Sequence, residues 1–411
     1  MSEVAIDLNM ALRRHQPFAF YWLSRVLSTI SLQMQAVAVG WQMYALTNNP
    51  LDLGLVGLCY FIPAFLLVLV AGHVADRYDR RTIARICQFA SGAGIAILAF
   101  GTYGGWLTRE AILGIILIIG SARTFEATTM QTLVPSLVPL PVLPRAQAAA
   151  SSATQAAVIA GPAVGGLVYA IDPVLVYALC CLLYFVAGTL IGLVRIQRVP
   201  PKREPPSLET LFAGFAFIRR NPIVLGAITL DMFAVLLGGA TALLPVFARD
   251  VLGTDAWGLG FLRAAPGIGA LVTAAILVRW PPSRHAGRIM FAGVAMFGVS
   301  VTVFALSKSF ALSMAALVVM GASDMLSVVI RMTLIQLQTP DEMRGRVNAV
   351  NALFVTASNQ LGEFRAGAVA AWIGAIPAVM IGGIGAVVVV AAGRTVFRQL
   401  YNVQSLSAPK G

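Results

Sequence analysis

Apolar runs of about twenty residues follow one another along nearly the whole chain, separated by short polar turns. A run of that length crosses a hydrocarbon core of about 30 Å as a helix. The pattern predicts twelve spans, at 18–44, 53–75, 82–103, 111–134, 146–171, 173–194, 222–247, 257–279, 287–306, 310–335, 346–373 and 376–398. The turn signal Asp172-Pro173 divides the fifth from the sixth. One polar stretch is longer than the others, "RIQRVPPKREPPSLETLFAGFAFIRRN" at 195–221. Its prolines and mixed charge predict a cytoplasmic linker between two six-span domains, 1–194 and 222–411. From Ser207 to Arg220 the apolar spacing turns helical behind a Ser-x-Glu start, which predicts a short interfacial helix.

Composition agrees. The 411 residues are 58% hydrophobic and 11% charged, against about 25% charged in a soluble domain. That excludes a soluble enzyme or a nucleic-acid-binding protein, and leaves an all-α membrane protein. The net charge of +12 then measures topology rather than affinity for nucleic acid. With both termini inside, 21 of the 29 Lys and Arg residues fall at cytoplasmic ends and three outside (Arg109, Arg249, Lys308). Five lie within spans: Arg25, Arg123, Arg263, Arg331 and Arg365. The expected location is the cell inner (plasma) membrane, with both termini cytoplasmic. The first fifteen residues are polar and end in Arg13, Arg14 and His15, a cytoplasmic flank rather than a cleavable leader. Cys59, Cys87, Cys180 and Cys181 lack metal-ligand spacing and read as small core residues.

The chain also repeats. At an offset of 201, Gly120 falls on Gly321, Thr132-Leu133 on Thr333-Leu334 and Pro139 on Pro340. Arg145 falls on Arg346, Gly161 on Gly362 and Gly166 on Gly367. Parallel six-helix repeats imply two pseudo-symmetric bundles with a substrate path between them near the midplane.

Between the second and third spans stands "GHVADRYDRR", 72–81. With the twelve spans it resembles the loop motif of the major facilitator superfamily, Gly-x-x-x-Asp-Arg-x-Gly-Arg-Arg. Gly72, Asp76, Arg77, Arg80 and Arg81 match. The resemblance implies a conformational latch there. Asp79 stands where the family has glycine, and either adds a carboxylate among the arginines or strains the turn. The fifth span holds "AGPAVGG", and Gly161, Pro162, Gly165 and Gly166 match the end of the family's exporter motif. Earlier glycines of that motif are replaced, Ala157 standing at one such place. Phrases in the first, seventh and eleventh spans resemble the branch of siderophore exporters and drug-proton antiporters.

Ionisable residues inside spans usually face a bundle interior or a water-filled cavity. The candidates for proton coupling are Glu126, Glu363, Asp324 and Asp231, in that order. Arg123 joins them, three residues before Glu126 and where the family carries an arginine linked to coupling. Candidates for the substrate cavity are Arg25, Gln33, Gln35, Trp41 and Gln42 on the first span and Arg331 on the tenth. The same charges also serve as helix staples if they pair, and the first span lacks the acid that several drug antiporters carry. No His-Glu-x-x-His, Gly-x-Ser-x-Gly or P-loop pattern occurs, so neither a hydrolase nor ATP-driven pumping is expected. The expectation is a monomeric exporter of a small amphipathic molecule, siderophore or drug-like, exchanging it for protons across the bilayer. It needs no cofactor, metal or nucleic acid. The alternatives are solute uptake, lipid flipping, or a sensor that kept the fold without transport.

Overall fold

The computed structural model describes residues 16–195, 208–280, 282 and 284–404. Residues 196–207 of the predicted linker lie outside them. Among the described residues the chain is helical almost throughout and has no strand. The twelve spans are α1 (Gln16–Thr47), α2 (Pro50–Arg77), α3 (Arg80–Tyr103), α4 (Arg109–Leu137), α5 (Leu143–Ile171), α6 (Pro173–Leu193), α8 (Pro222–Gly238), α9 (Ala256–Arg279), α10 (Ala286–Leu306), α11 (Phe310–Gln338), α12 (Asp341–Ile373) and α13 (Ala375–Val396). The shorter helix α7 (Leu208–Arg220) precedes α8, and α14 (Arg398–Tyr401) follows α13. Asp172 starts α6 by accepting from the backbone N–H groups of Val174 and Leu175, and Asn221 starts α8 in the same way.

Ten of the described helices are both long and apolar enough to cross a membrane. The spans missing from that set are α1 and α12. Their 32 and 33 residues suffice in length. They fall short in apolarity, because α1 carries Arg25, Gln33, Gln35 and Gln42 within its length, and α12 carries Asn351, Gln360, Glu363 and Arg365. Polar spans of this kind need protein or water against them.

The chain divides into two compact units, Met1–Gln42 with Ile62–Pro206, and Met43–Phe61 with Ser207–Gly411. In the first unit, α3 packs against α4 and α6. One of its cores gathers Phe18, Tyr21, Ala84, Leu133, Val134, Ala146 and Ile191. In the second unit, α11 packs against α9 and α10, and α13 against α8 and α10. Its corresponding core holds Ile218, Val224, Ile228, Ile335, Val347 and Val350. Val134 and Ile335 are related by the offset of 201, as are Ala146 and Val347. The repeat therefore survives in packing and not only in loop residues.

The paired glycines explain how. A Cβ on Gly161 would fall 2.6 Å from Cβ of Gln33, and one on Gly165 would fall 2.6 Å from Cα of Met34. So α5 crosses α1 at backbone contact. Gly362, the repeat partner of Gly161, brings α12 onto α8: its Cβ would lie 2.9 Å from the Val235 carbonyl. The residues of "AGPAVGG" thus act first as a close crossing.

At that second crossing α8 stops. Gly239 ends it with its backbone against Gly362, and the chain continues as tighter and wider turns from Thr241 to Val251. The carbonyls left open are taken by Arg365, whose Nε donates to Leu236 O at 3.0 Å and whose Nη2 donates to Leu237 O. Arg365, a charge within a span, is thereby a cap for the broken helix.

Gly165→Val is expected to lower stability by about 1–3 kcal/mol, because the neighbour it meets is backbone that has no rotamer to yield. Gly114→Ala, with open space around its Cβ position, is expected to leave the protein as stable or slightly more so. Thermal unfolding of the purified variants in detergent checks the contrast.

Candidate functional site

In the first unit the ionisable residues converge on Glu126. This side chain is 8% exposed and accepts a hydrogen bond from Gln88 Nε2 at 2.9 Å. Gln88 is itself held by Ser24 Oγ at 3.2 Å, while the Ser28 hydroxyl donates to the Arg25 carbonyl at 3.2 Å. Helices α1, α3 and α4 are therefore joined through one buried polar chain. Arg25 and Arg123 both act electrostatically on Glu126, yet neither forms an ion pair with it among the described residues. Arg25 instead donates from Nε to Thr154 Oγ1 at 3.2 Å and from Nη1 to Tyr21 OH at 2.8 Å. Arg123, one turn before Glu126, is exposed.

The other residues expected on the α1 wall divide. Gln42 is a staple: it donates to Thr102 Oγ1 at 2.9 Å and accepts from Tyr177 OH at 2.6 Å. Gln35 is wholly buried beside Cys180. Gln33, against Gly161, and Trp41 are half-buried.

In the second unit Asp231 on α8 and Arg331 on α11 form a direct ion pair, both side chains at most 6% exposed. Ser327, one turn from Arg331, donates to Asp231 Oδ1 at 3.5 Å. Asp324 lies a further turn back on α11. It borders the same small cavity as Asp231, together with Phe297, Ser323 and Ser327. That cavity offers about 10 Å³ to the centre of a water molecule, roughly the minimum for one water. Asp324 feels the charges of both Asp231 and Arg331, and no hydrogen bond to its carboxylate occurs among the described residues. The group thus contains two carboxylates and one guanidinium.

Glu363 stands apart from that cluster, on α12. A Cβ on Gly57 of α2 would lie 3.0 Å from its Oε2 and 3.5 Å from Gln360 Oε1. Arg263 on α9 faces Glu363 and Tyr60 electrostatically. Gln360 Oε1 and Arg263 Nε are buried without a hydrogen-bond partner among the described residues.

Gln88, Ser24, Tyr60, Gln360 and Ser327 were absent from the sequence-based set. A lone glutamine in "RICQFASG" is the signal that could have found Gln88. Nothing local marks Tyr60 or the serines, since such residues are common in spans.

The decapeptide 72–81 is a turn between α2 and α3. Gly72 is buried and Arg77 exposed, and the side chain of Asp76 lies outside the described residues. Arg80 Nε donates to Ala75 O at 3.2 Å, and Arg81 Nη1 donates to Val194 O at the end of α6 at 2.8 Å. Asp79 is the N-cap of α3, with φ −62° and its side chain accepting from Arg81 N–H. A residue of any type adopts that backbone, so the departure from glycine brings no strain. Asp79 also pairs with Arg81 Nη2 at 3.1 Å and accepts from Thr82 Oγ1 at 3.1 Å. Burial pushes its carboxyl up, but the bonds from Arg81 and Thr82 outweigh this and hold it below the usual carboxylate value.

A family model described as "Transmembrane secretion effector" matches residues 9–408. The chain is 28% identical over 386 residues to the enterobactin exporter EntS of Shigella dysenteriae serotype 1 (strain Sd197), covering 92% of this chain and 88% of that protein. The same figures hold for EntS of Escherichia coli O1:K1. Among solved structures, a bacterial homologue of the lysosomal transporter Spinster in an inward-facing, unoccupied conformation aligns with a TM-score of 0.72 at 12% identity, covering 94% of this chain and 97% of that one. A bacterial homologue of the iron transporter ferroportin aligns with a TM-score of 0.71 at 17% identity, covering 94% and 99%. These structural likenesses establish the fold alone.

Asp79→Ala is expected to cost about 1 kcal/mol at neutral pH, through loss of the cap; the exposed pair with Arg81 adds little. The bonds hold the carboxylate form, so the contribution is full above the ordinary value of 3.8 and disappears as pH falls through the lower folded value. Unfolding of both proteins across that acidic range should show the two curves merging.

Proposed function

Because this chain belongs to the transmembrane secretion effector family of the major facilitator superfamily, we propose that it is a proton-driven exporter of small amphipathic molecules. It would sit in the inner membrane as a monomer with both termini cytoplasmic, and alternate access by rocking two six-helix bundles about a midplane site. The likeness to the enterobactin exporters supports the outward direction and a siderophore-like or drug-like cargo. The glycines and proline of "AGPAVGG" support the same direction through the exporter motif they resemble.

The observation that carries proton coupling is the excess of carboxylate around Arg331. Asp231 occupies the guanidinium, and Asp324 borders the same water-sized cavity without a cation of its own. A site with two acids and one base carries a net charge of −1 inside the membrane. One proton removes that charge. A motion of α11 against α8 that changed the distance of Asp324 from Arg331 would change how tightly the proton is held, and that is the coupling exchange needs. In this reading Asp324 carries the proton, Asp231 keeps Arg331 in place, and Glu126, already bonded by Gln88, organises the first unit. Asp76, with the arginines of its turn, would act as the latch of one conformation.

Reconstituted protein is expected to move labelled cargo several-fold faster under an imposed pH gradient than without one. Asp324→Asn should abolish that difference while leaving slow exchange without a gradient, and Glu126→Gln should keep it within about twofold. Equal rates with the gradient collapsed would refute proton coupling. A gradient response that survives Asp324→Asn would refute the assignment of the carrier.

A further inference from the structure

We propose that the first unit contains an anion subsite, in which Arg123 and Arg25 hold the acidic group of an amphipathic organic anion. The inference rests on the transport reading above for the identity of the ligand as cargo, and on the geometry of the unit for its charge.

Arg123 lies midway along α4, fourteen residues from Arg109 and fourteen from Leu137. At about 1.5 Å per residue that is about 21 Å from either end. It is exposed at that depth and has no ion pair or hydrogen bond among the described residues. A guanidinium facing hydrocarbon there would be costly, so it faces water or a ligand.

Arg25 is bonded, but not neutralised. Tyr21 OH donates its proton to Met130 O at 3.0 Å, and Thr154 Oγ1 donates its own to Ala150 O at 2.8 Å. Both hydroxyls therefore offer Arg25 only lone pairs. They aim the guanidinium without supplying negative charge. Among the described residues, Glu126 is the one acid facing both arginines from the neighbouring elements. Gln88 on α3, Ser24 and Ser28 on α1, and Cys87 beside it bring no cation or further anion. Two guanidinium groups against one carboxylate leave a net charge of +1 in the interior of this unit. A carboxylate or phenolate of the ligand would complete the balance, held by the planar donor fork that suits such groups.

A matched pair of probes tests this: 2-naphthoate and the neutral 2-naphthamide, with binding to the full-length protein in detergent measured by calorimetry. One charge-assisted contact corresponds to a preference of about tenfold or more for the anion. Arg123→Gln should reduce 2-naphthoate to the level of the amide, and Arg123→Lys should recover part of the loss. The exposed position makes both variants foldable, and an unchanged unfolding temperature verifies it. No preference for 2-naphthoate, no binding of it, or full binding by Arg123→Gln overturns the subsite. Transport of the same pair in liposomes separates the two readings. Export of the amide alone would leave the exporter standing and sink the subsite. Arginine-dependent binding of the anion without any transport would leave the subsite standing and sink the exporter.

Discussion

A charge inside an apolar slab must be balanced, bonded or wetted, and most of this protein's interior chemistry follows from that requirement. Arg365 meets it by capping the open carbonyls of a helix that stops within the membrane. Arg331 meets it with Asp231. Gln88 spreads the charge of Glu126 over two further helices through hydrogen bonds. What is left over is small and of opposite sign in the two units: one uncompensated acid beside Arg331, and one uncompensated guanidinium around Glu126. The balanced charges hold helices together, and the unbalanced ones are the places where a proton or a ligand has work to do.

The second constraint is steric. Without a hydrophobic drive between helices in lipid, association depends on close packing. Gly161 and Gly165 bring α5 onto α1, and Gly362 brings α12 onto α8. The polar spans α1 and α12 are thus each gripped by a repeat-related crossing, which covers part of their polarity with protein. The same crossing in the second unit coincides with the break in α8, so the glycine contacts and the Arg365 cap are parts of one local arrangement.

Much of this was legible in the chain. The apolar runs predicted each span, because hydrocarbon thickness leaves little freedom in length. Even α1 and α12 were recognisable, since their polar residues interrupt long apolar stretches without ending them. The repeat was visible in loop prolines and arginines before Val134 and Ile335 appeared in equivalent cores. Pairings were not legible. Asp231 and Arg331 are a hundred residues apart, and nothing in either neighbourhood names the other. Gln42 and Gln33 look alike in sequence, yet Gln42 is tied to Thr102 and Tyr177 while Gln33 packs on a glycine. Asp79 shows the same limit: of the two explanations open for the departure from glycine, the carboxylate does join an arginine, Arg81, and the turn is not strained, while its role as a helix cap was visible in neither.

In the proposed cycle the acid in excess beside Arg331 carries a proton. Infrared difference spectroscopy of the purified protein tests it without a ligand, by following the C=O stretch of protonated carboxyl groups across neutral pH. A titrating band from one buried carboxyl is expected in the native protein, absent in Asp324→Asn and present in Glu126→Gln. A spectrum without that band, or a band untouched by Asp324→Asn, would contradict it.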